Sequence, residues 1–348
     1  MENKKTIVIV IPDLKGNGAE RVMLSLATGL QQNNCDVHIV IFKEIIELEY
    51  NGNINIHVFK KHYRWTPRSV RGLVLSPILD KFIIRHCGKP DLVLSNLLPI
   101  DRLFAYSKLN SYLVIHNTMS LEAKFYARNF KELKKIYTQK PVICVSKGVQ
   151  SDFIKLFKPE KKVQTIHNPI DIRFTQRMAQ DDNLINLNDY IIHVGKFAHQ
   201  KRHDVLIKAY KKSNIKTPLV LIGQGYLESN IRALVQELNL ESKVIFLGFQ
   251  SNPYPLIKNA KLMVLSSDFE GLGMVILEAL ALNTAVISTN CPSGPSEILP
   301  SKNLCPVENI EKLAQLIKQA TNNPLAFIQP LDEKFHLSLA AKKYIDLI

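Results

Sequence analysis

The chain is poor in cysteine, and what it has is scattered. Cys35, Cys87, Cys144, Cys291 and Cys305 are odd in number and contain no Cys-x-x-Cys. This argues against a disulfide framework or a zinc site, and a reducing cytoplasm is the expected compartment. Long apolar runs are also missing, and no segment approaches the ~18 residues of a membrane span. The opening run Thr6–Ile11 stops at Pro12-Asp13 and lacks a small-residue cleavage site, so it reads as a first core strand and not a signal segment. No Asp-x-Asp occurs, which leaves a carboxylate-held Mn²⁺ or Mg²⁺ without obvious ligands. Internal repeats and low-complexity tracts are absent too. What remains is a folded chain of 348 residues, 46% hydrophobic with mean hydropathy −0.02. That length predicts about two domains, each with its own core.

Negative charge is scarce in one half only. Residues 1–170 hold 26 Lys and Arg against 14 Asp and Glu, a net +12, whereas residues 171–348 hold 19 against 17. The excess gathers in Lys60-Lys61-His62-Tyr63-Arg64-Trp65-Thr66-Pro67-Arg68 through Arg71, and between Lys124 and Lys140. A local bias of this size implies an anionic partner for the first half: nucleic acid, an acidic membrane surface or a phosphorylated glycan. Trp65 and Tyr63 among the cations favour lipid headgroups, where amphipathic rings settle. A solvated basic surface is the competing reading for each cluster.

Strand-like and helix-like segments alternate throughout, which predicts parallel α/β sheets. Thr6–Ile11, Val37–Phe42, Asp91–Leu94, Tyr112–Ile115 and Val142–Val145 read as buried strands of a first domain, with helices at Ala19–Leu30 and Leu121–Thr138. Tyr190–Val194, Leu219–Ile222, Lys243–Leu247, Leu262–Leu265 and Ala285–Ser288 restart the scheme, with helices at Asp204–Tyr210, Leu227–Leu238 and Gly271–Leu282. The expected organisation is a first Rossmann-like domain over 1–170, a second over 171–333, and a terminal helix within 334–348. Two sheets in tandem make a cleft between them the default ligand site.

Ser267-Asp268-Phe269-Glu270-Gly271-Leu272-Gly273-Met274-Val275-Ile276-Leu277-Glu278-Ala279 is the most informative stretch. If it were helical from Glu270 onward, eight steps would set Glu270 and Glu278 roughly 12 Å apart along the axis. That exceeds the ~5–9.5 Å of a glycosidase acid pair, so the two carboxylates suit the ends of one elongated ligand. Gly271-Leu272 would present amides at a helix N-terminus, a seat for phosphate. Hydroxyls at both ends and phosphate between them describe a nucleotide sugar. A surface Glu and a solvated helix face are the plain alternative.

Glu270 and Glu278, seven residues apart in EGLGMVILEALA, resemble the E-x7-E motif of the retaining glycosyltransferase family 4, whose members have the GT-B fold. The resemblance implies that Glu270 approaches the donor sugar and Glu278 the nucleoside ribose. Lys196 and Lys201, in Gly195-Lys196-Phe197-Ala198-His199-Gln200-Lys201-Arg202, sit where the family has Arg and Lys on the donor diphosphate. Two cations there would neutralise the leaving group as the glycosidic bond breaks. Lys196 keeps the charge of the usual Arg without its bidentate geometry. Arg202 stands where many relatives have Gly, which either changes the local backbone or adds a third positive contact. The first turn, Lys15-Gly16-Asn17-Gly18-Ala19-Glu20-Arg21, is similar to the family's GGAER-type opening, and it makes Gly16, Asn17 and Gly18 candidate phosphate or acceptor contacts. Arg21 occupies the slot where a dinucleotide fingerprint needs a small residue. His116, ending a strand, corresponds to a family histidine near the reacting carbon and is the other catalytic candidate beside Glu270.

Gly223-Gln224-Gly225 and Leu247-Gly248-Phe249 follow strands and could admit a nucleoside or be plain turns. Cys291-Pro292-Ser293-Gly294-Pro295-Ser296-Glu297-Ile298 resembles a segment of lipopolysaccharide and capsule transferases, and Asn283 stands where a helix-ending Gly is usual.

The expectation is a retaining, metal-independent hexosyltransferase that requires no cofactor. It would move a sugar from a nucleotide donor, a UDP-hexose or UDP-N-acetylhexosamine, to a glycan or lipid-linked acceptor of cell-surface polysaccharide or lipopolysaccharide synthesis. It would be cytoplasmic or peripheral at the inner face of the membrane, against an anionic surface and with no nucleic acid partner. A nucleotide-sugar epimerase of related fold and a basic nucleic-acid-binding protein are the rival readings.

Overall fold

The computed structural model describes residues 4–50, 54–60, 70–125, 129–181 and 189–348. Most of the first basic cluster, 61–69 with Tyr63 and Trp65, lies outside the described residues. Two compact units are present: 1–171 with 333–348, and 172–332.

The first unit is a seven-stranded parallel sheet. Its strands are β1 (Thr6–Ile11), β2 (Asp36–Ile41), β3 (Asn55–Val58), β4 (Leu92–Asn96), β5 (Ser111–Ile115), β6 (Val142–Cys144) and β7 (Val163–Thr165), in spatial order β3-β2-β1-β4-β5-β6-β7. β1 is central because Ile7–Ile11 are apolar on both faces and fully buried, as a strand covered by helices on both sides requires. It pairs in register with Val37 and its successors on one side and with Leu92 and its successors on the other. The segment after Asp332 returns to this unit. Ile170 N–H donates to Phe335 O (3.0 Å), and the helix Leu337–Ile345 packs on the helix Gly18–Gln32.

The second unit repeats the scheme with six parallel strands. These are β8 (Ile191–Val194), β9 (Leu219–Ile222), β10 (Val244–Gly248), β11 (Leu262–Leu265), β12 (Val286–Thr289) and β13 (Leu304–Cys305), ordered β10-β9-β8-β11-β12-β13. Its two apolar clusters lie on opposite faces of the sheet, Ile191, Leu221 and Val264 pointing to one and Ile192, Val220 and Met263 to the other.

Several elements depart from the sequence expectation. β3, β7 and β13 are two to four residues long and lie at sheet edges. Strands that short carry too few apolar positions to stand out from loop. Helices Arg71–Cys87, Lys147–Phe157 and Ile310–Asn322 were not anticipated, the first because Pro77 interrupts its pattern. The expected helix Leu121–Thr138 is two helices, Met119–Phe125 and Phe130–Tyr137. Asn129 starts the second, its Oδ1 accepting from the amides of Lys131 (3.0 Å) and Glu132 (3.3 Å). Among the described residues no helix is long and apolar enough to cross a membrane.

Candidate active site

In the second unit the loops after β8 and β11 meet. Lys201 Nζ donates to Glu270 Oε1 at 2.5 Å, and Ser267 Oγ donates to the same oxygen at 2.7 Å. Lys201 and Glu270 side chains are only 17% and 9% exposed, so the pair is largely out of water. Such a pair stands only where geometry and further hydrogen bonds offset desolvation. Here the supports are visible. Ser266 Oγ donates to Lys201 O (2.8 Å), Gln200 Nε2 to Phe269 O (2.7 Å), and Asp268 N–H to Gln200 O (2.9 Å). A third loop, after β12, closes on the same place. Glu270 N–H donates to Pro292 O (3.3 Å), and a Cβ on Gly294 would stand 2.3 Å from Leu272 O. The Cys-Pro-Ser-Gly-Pro segment is therefore a wall behind Glu270.

The helix begins later than expected. It spans Met274–Ala281, with Gly273 as its left-handed N-cap at φ 89°, so Glu270 to Gly273 form a loop. The 12 Å separation along a helix axis consequently does not apply. Glu278 is the fifth helical residue, just past one turn, and is buried. The first helical amides are those of Met274 and Val275, not those of Gly271 and Leu272, which precede the cap. The helix ends as read, with Asn283 left-handed at φ 57°.

Arg202 departs from both sequence alternatives. It takes the left-handed conformation a glycine would take, at φ 47°. Its guanidinium is held by Asp268 (3.0 Å), Asp204 (3.0 Å) and Glu308 (2.5 Å). Hydrogen bonds that the guanidinium donates to these carboxylates, Asp204 first, push its pKa up against the cost of burial. With three carboxylates around it, Arg202 braces the loop and is not a third cation for a phosphate. Lys196 is exposed, and among the described residues no carboxylate pairs with it. The glycines after β9 serve the protein itself. A Cβ on Gly225 would lie 2.3 Å from Phe197 O, so the two loops can approach only without a side chain there.

In the first unit, His116 follows β5 and reaches Asn96 at the end of the neighbouring β4, with Nε2 2.8 Å from Asn96 Oδ1. Asn96 Nδ2 donates to Val10 O (3.2 Å) and Leu94 O (3.0 Å), which leaves Oδ1 as the acceptor. His116 is thus the Nε2–H tautomer, and among the described residues its buried Nδ1 has no hydrogen-bond partner. Burial lowers its pKa to about 4, so the ring is neutral near pH 7 and Nδ1 is a hydrogen-bond acceptor. The Gly16-Asn17-Gly18 turn does open a helix, but two of its amides, those of Gly16 and Asn17, are occupied. Glu20, itself buried, accepts from Gly16 N–H (2.6 Å) and Asn17 N–H (2.9 Å) with Oε2, and from Asn17 Nδ2 (2.7 Å) with Oε1. An external phosphate at those two amides would have to displace a carboxylate.

Residues 16–174 match the family model described as Glycosyltransferase Family 4, and residues 175–336 match Glycosyl transferases group 1. The chain is a glycosyltransferase of the family 4 type, with the GT-B fold. A Campylobacter jejuni protein, N-acetylgalactosamine-N,N'-diacetylbacillosaminyl-diphospho-undecaprenol 4-alpha-N-acetylgalactosaminyltransferase, is 29% identical over 83% of this chain and 82% of its own length. The Escherichia coli K12 lipopolysaccharide 1,6-galactosyltransferase is 28% identical over 45% of each chain. Among solved structures, Anabaena Alr3699/HepE in complex with UDP-glucose has a TM-score of 0.73 over 98% of both chains, at 17% identity, a likeness of fold.

Behind the Lys201 loop this glycosyltransferase buries two histidines that sequence reasoning passed over. His193 Nδ1 donates to Val264 O (2.8 Å), and its ring stands edge-on to His203 at 4.6 Å. Burial first, with Lys201 adding repulsion, lowers His193 to about 4 and His203 to about 2. Both are neutral packing elements beneath the loop. Asn96, which sets the His116 tautomer, was also missed. No local signal marks it, because its role depends on β4 lying beside β5.

Proposed function

We propose that this glycosyltransferase is retaining and metal-independent, and that it transfers a hexose or N-acetylhexosamine from a UDP donor. The acceptor is a glycan or lipid-linked glycan of cell-surface polysaccharide or lipopolysaccharide synthesis. The observation that carries the reading is the buried Lys201–Glu270 pair beside the Met274–Ala281 helix start. A cation and helix amides at one place favour a diphosphate leaving group, and charge fixed in a dry site acts on the developing negative charge without reorganisation. Lys196 adds a second, exposed cation. Glu270 approaches the donor sugar and Glu278 the ribose. In the first unit, His116 Nδ1 accepts from a substrate hydroxyl. UDP as donor is supported by the neighbour solved with UDP-glucose, and a lipid-linked acceptor by the relative whose name carries diphospho-undecaprenol.

A membrane-facing role for the first unit rests on the helix Arg71–Cys87. Its outward face carries Leu73 (58% exposed), Val74 (50%), Ile78 and Ile84, interleaved with exposed Lys81 and Arg85. Asp80, the single acid in the helix, is buried and accepts from Ser107 Oγ (2.7 Å) and Lys108 N–H (2.9 Å). An apolar face with cations and no exposed carboxylate complements anionic lipid. The epimerase and nucleic-acid readings are not favoured, since neither accounts for family matches across both halves.

The test is a thermal-shift panel of UDP, GDP, ADP and NAD with and without EDTA, followed by product analysis with a UDP-sugar and a lipid-linked acceptor. Stabilisation by UDP that survives EDTA and shrinks in Glu278→Ala supports the reading. Failure of every nucleotide to stabilise the protein would overturn it.

A further inference from the structure

Against the expectation from the scattered cysteines, three metal-ligating side chains converge at the edge of the first sheet. His38 sits on β2, His57 on the edge strand β3, and Cys87 is the last residue of the helix Arg71–Cys87. One ligand atom from each lies within 4.8 Å of the others. In the β2–β3 register His38 lies opposite Asn55 and Val40 opposite His57. The two histidines are therefore diagonal neighbours on one face, the face over which the helix ends. Their rings approach to 5.1 Å, and His38 Nδ1 and His57 Nε2 are 2.9 Å apart.

A carboxylate stands behind the first of these ligands. Asp36 Oδ2 accepts from His38 Nε2 at 3.2 Å. That bond places the His38 proton on Nε2 and leaves Nδ1 as a lone pair aimed at the cluster, the orientation a carboxylate imposes on a metal-bound imidazole. His38 and Cys87 are both buried, and Cys87 is a free thiol. A purely structural pair of histidines would require neither a thiol at the third corner nor a carboxylate fixing the tautomer.

We propose that His38 Nδ1, His57 Nε2 and Cys87 Sγ form a zinc-binding site that clips strand β3 and the end of helix Arg71–Cys87 to strand β2. Two imidazoles and a thiolate form a borderline-soft set suited to Zn²⁺, with water as the fourth ligand. On binding, the Cys87 thiol releases its proton to solvent. The proton of His57 Nε2 is lost to solvent and Nδ1 carries one instead, while His38 keeps its tautomer. The site shares no residue with Lys201, Glu270 or Glu278. It braces the fold, so chemistry that needs no metal is compatible with a bound structural ion.

The experiment uses the full chain freed of metal with a chelator and titrated with Co²⁺, then Zn²⁺. Expected are one equivalent of Co²⁺ bound, a thiolate-to-cobalt charge-transfer band with tetrahedral d–d absorption, bleaching of both by Zn²⁺, and a higher melting temperature with Zn²⁺. Cys87→Ser should remove the charge-transfer band, and His57→Gln, at a half-buried position, should weaken Zn²⁺ binding roughly 100-fold or more. Asp36→Asn should weaken it roughly 10- to 100-fold and retain the band. Cys305→Ser, in the other unit, should change nothing. Absence of a thiolate band in the unmodified protein would overturn the proposal regardless of how the variants fold. So would Zn²⁺ binding undiminished in folded His57→Gln.

Discussion

The two units share one scaffold and use the same position in opposite ways. Each has a parallel sheet with its earliest strand near the centre and a turn leading from that strand into a helix. After β1, the turn delivers a carboxylate, and Glu20 satisfies the amides of Gly16 and Asn17 from within. After β8, the turn delivers cations, and Lys201 meets the Glu270 carboxylate from a neighbouring loop while Lys196 remains exposed. The first turn is closed electrostatically, and the second is a poised ion pair with a spare positive charge beside it. The same strand-to-helix position thus gives a structural cap in one unit and a candidate anion site in the other, according to which charge the side chains supply.

Breaking the ion pair should have the largest effect. Lys201→Ala leaves Glu270 buried without its cation, and such a loss costs about 3–5 kcal/mol. A chemical-denaturation midpoint well below that of the parent is expected. Glu270→Gln keeps the shape but removes the charge. Turnover should fall roughly 10²- to 10³-fold, the scale of losing one preorganised electrostatic contact, while UDP affinity changes little, as steady-state kinetics beside calorimetry would reveal. The matching change in the first unit, Glu20→Ala, leaves two amides unpaired and should cost about 1–2 kcal/mol of stability without altering UDP binding. If Glu20→Ala instead abolished donor binding, the contrast between the two turns would be wrong.

Acid tests both units at once. His116 and His193 have folded pKa values near 4, below the ordinary 6.5. Between those values the unfolded chain binds protons that the folded chain does not, so stability is full above pH 6.5 and declines as pH falls towards 4. Each such histidine contributes about 1.4 kcal/mol per pH unit in that window. His116→Gln and His193→Gln should each flatten the dependence of melting temperature on pH by one proton. The smallest effect belongs to Lys196→Ala. Melting temperature should hold, and UDP affinity should fall several-fold at low salt, with the difference shrinking as salt screens the exposed charge.

Legibility followed how local each feature is. The strands of both cores were readable because burial on both faces demands short β-branched runs, as in Ile7–Ile11 and Leu262–Leu265. Edge strands such as Asn55–Val58 were not, since half their surface faces solvent and their pattern is mixed. Glu270, Glu278 and Lys201 were readable as candidates because each lies in a compact motif at a strand end. Their partnership was not, because 69 residues separate Lys201 from Glu270 and only the adjacency of β8 and β11 joins them. The helix start at Met274 rather than Gly271 was decided by Gly273, whose left-handed backbone ends the loop.

By itself, then, the sequence determined the class of fold, the two-sheet repetition and the family motif, all consequences of short-range periodicity and strand-end chemistry. Only the tertiary structure decided which charges meet. It turned Arg202 into a brace, closed the Gly16 turn with Glu20, fixed the His116 tautomer through Asn96, and gathered His38, His57 and Cys87 at one sheet edge. The physical reason is that strand order is set by how buried faces pack, so side chains that lie far apart along the chain become neighbours with no local pattern to announce them.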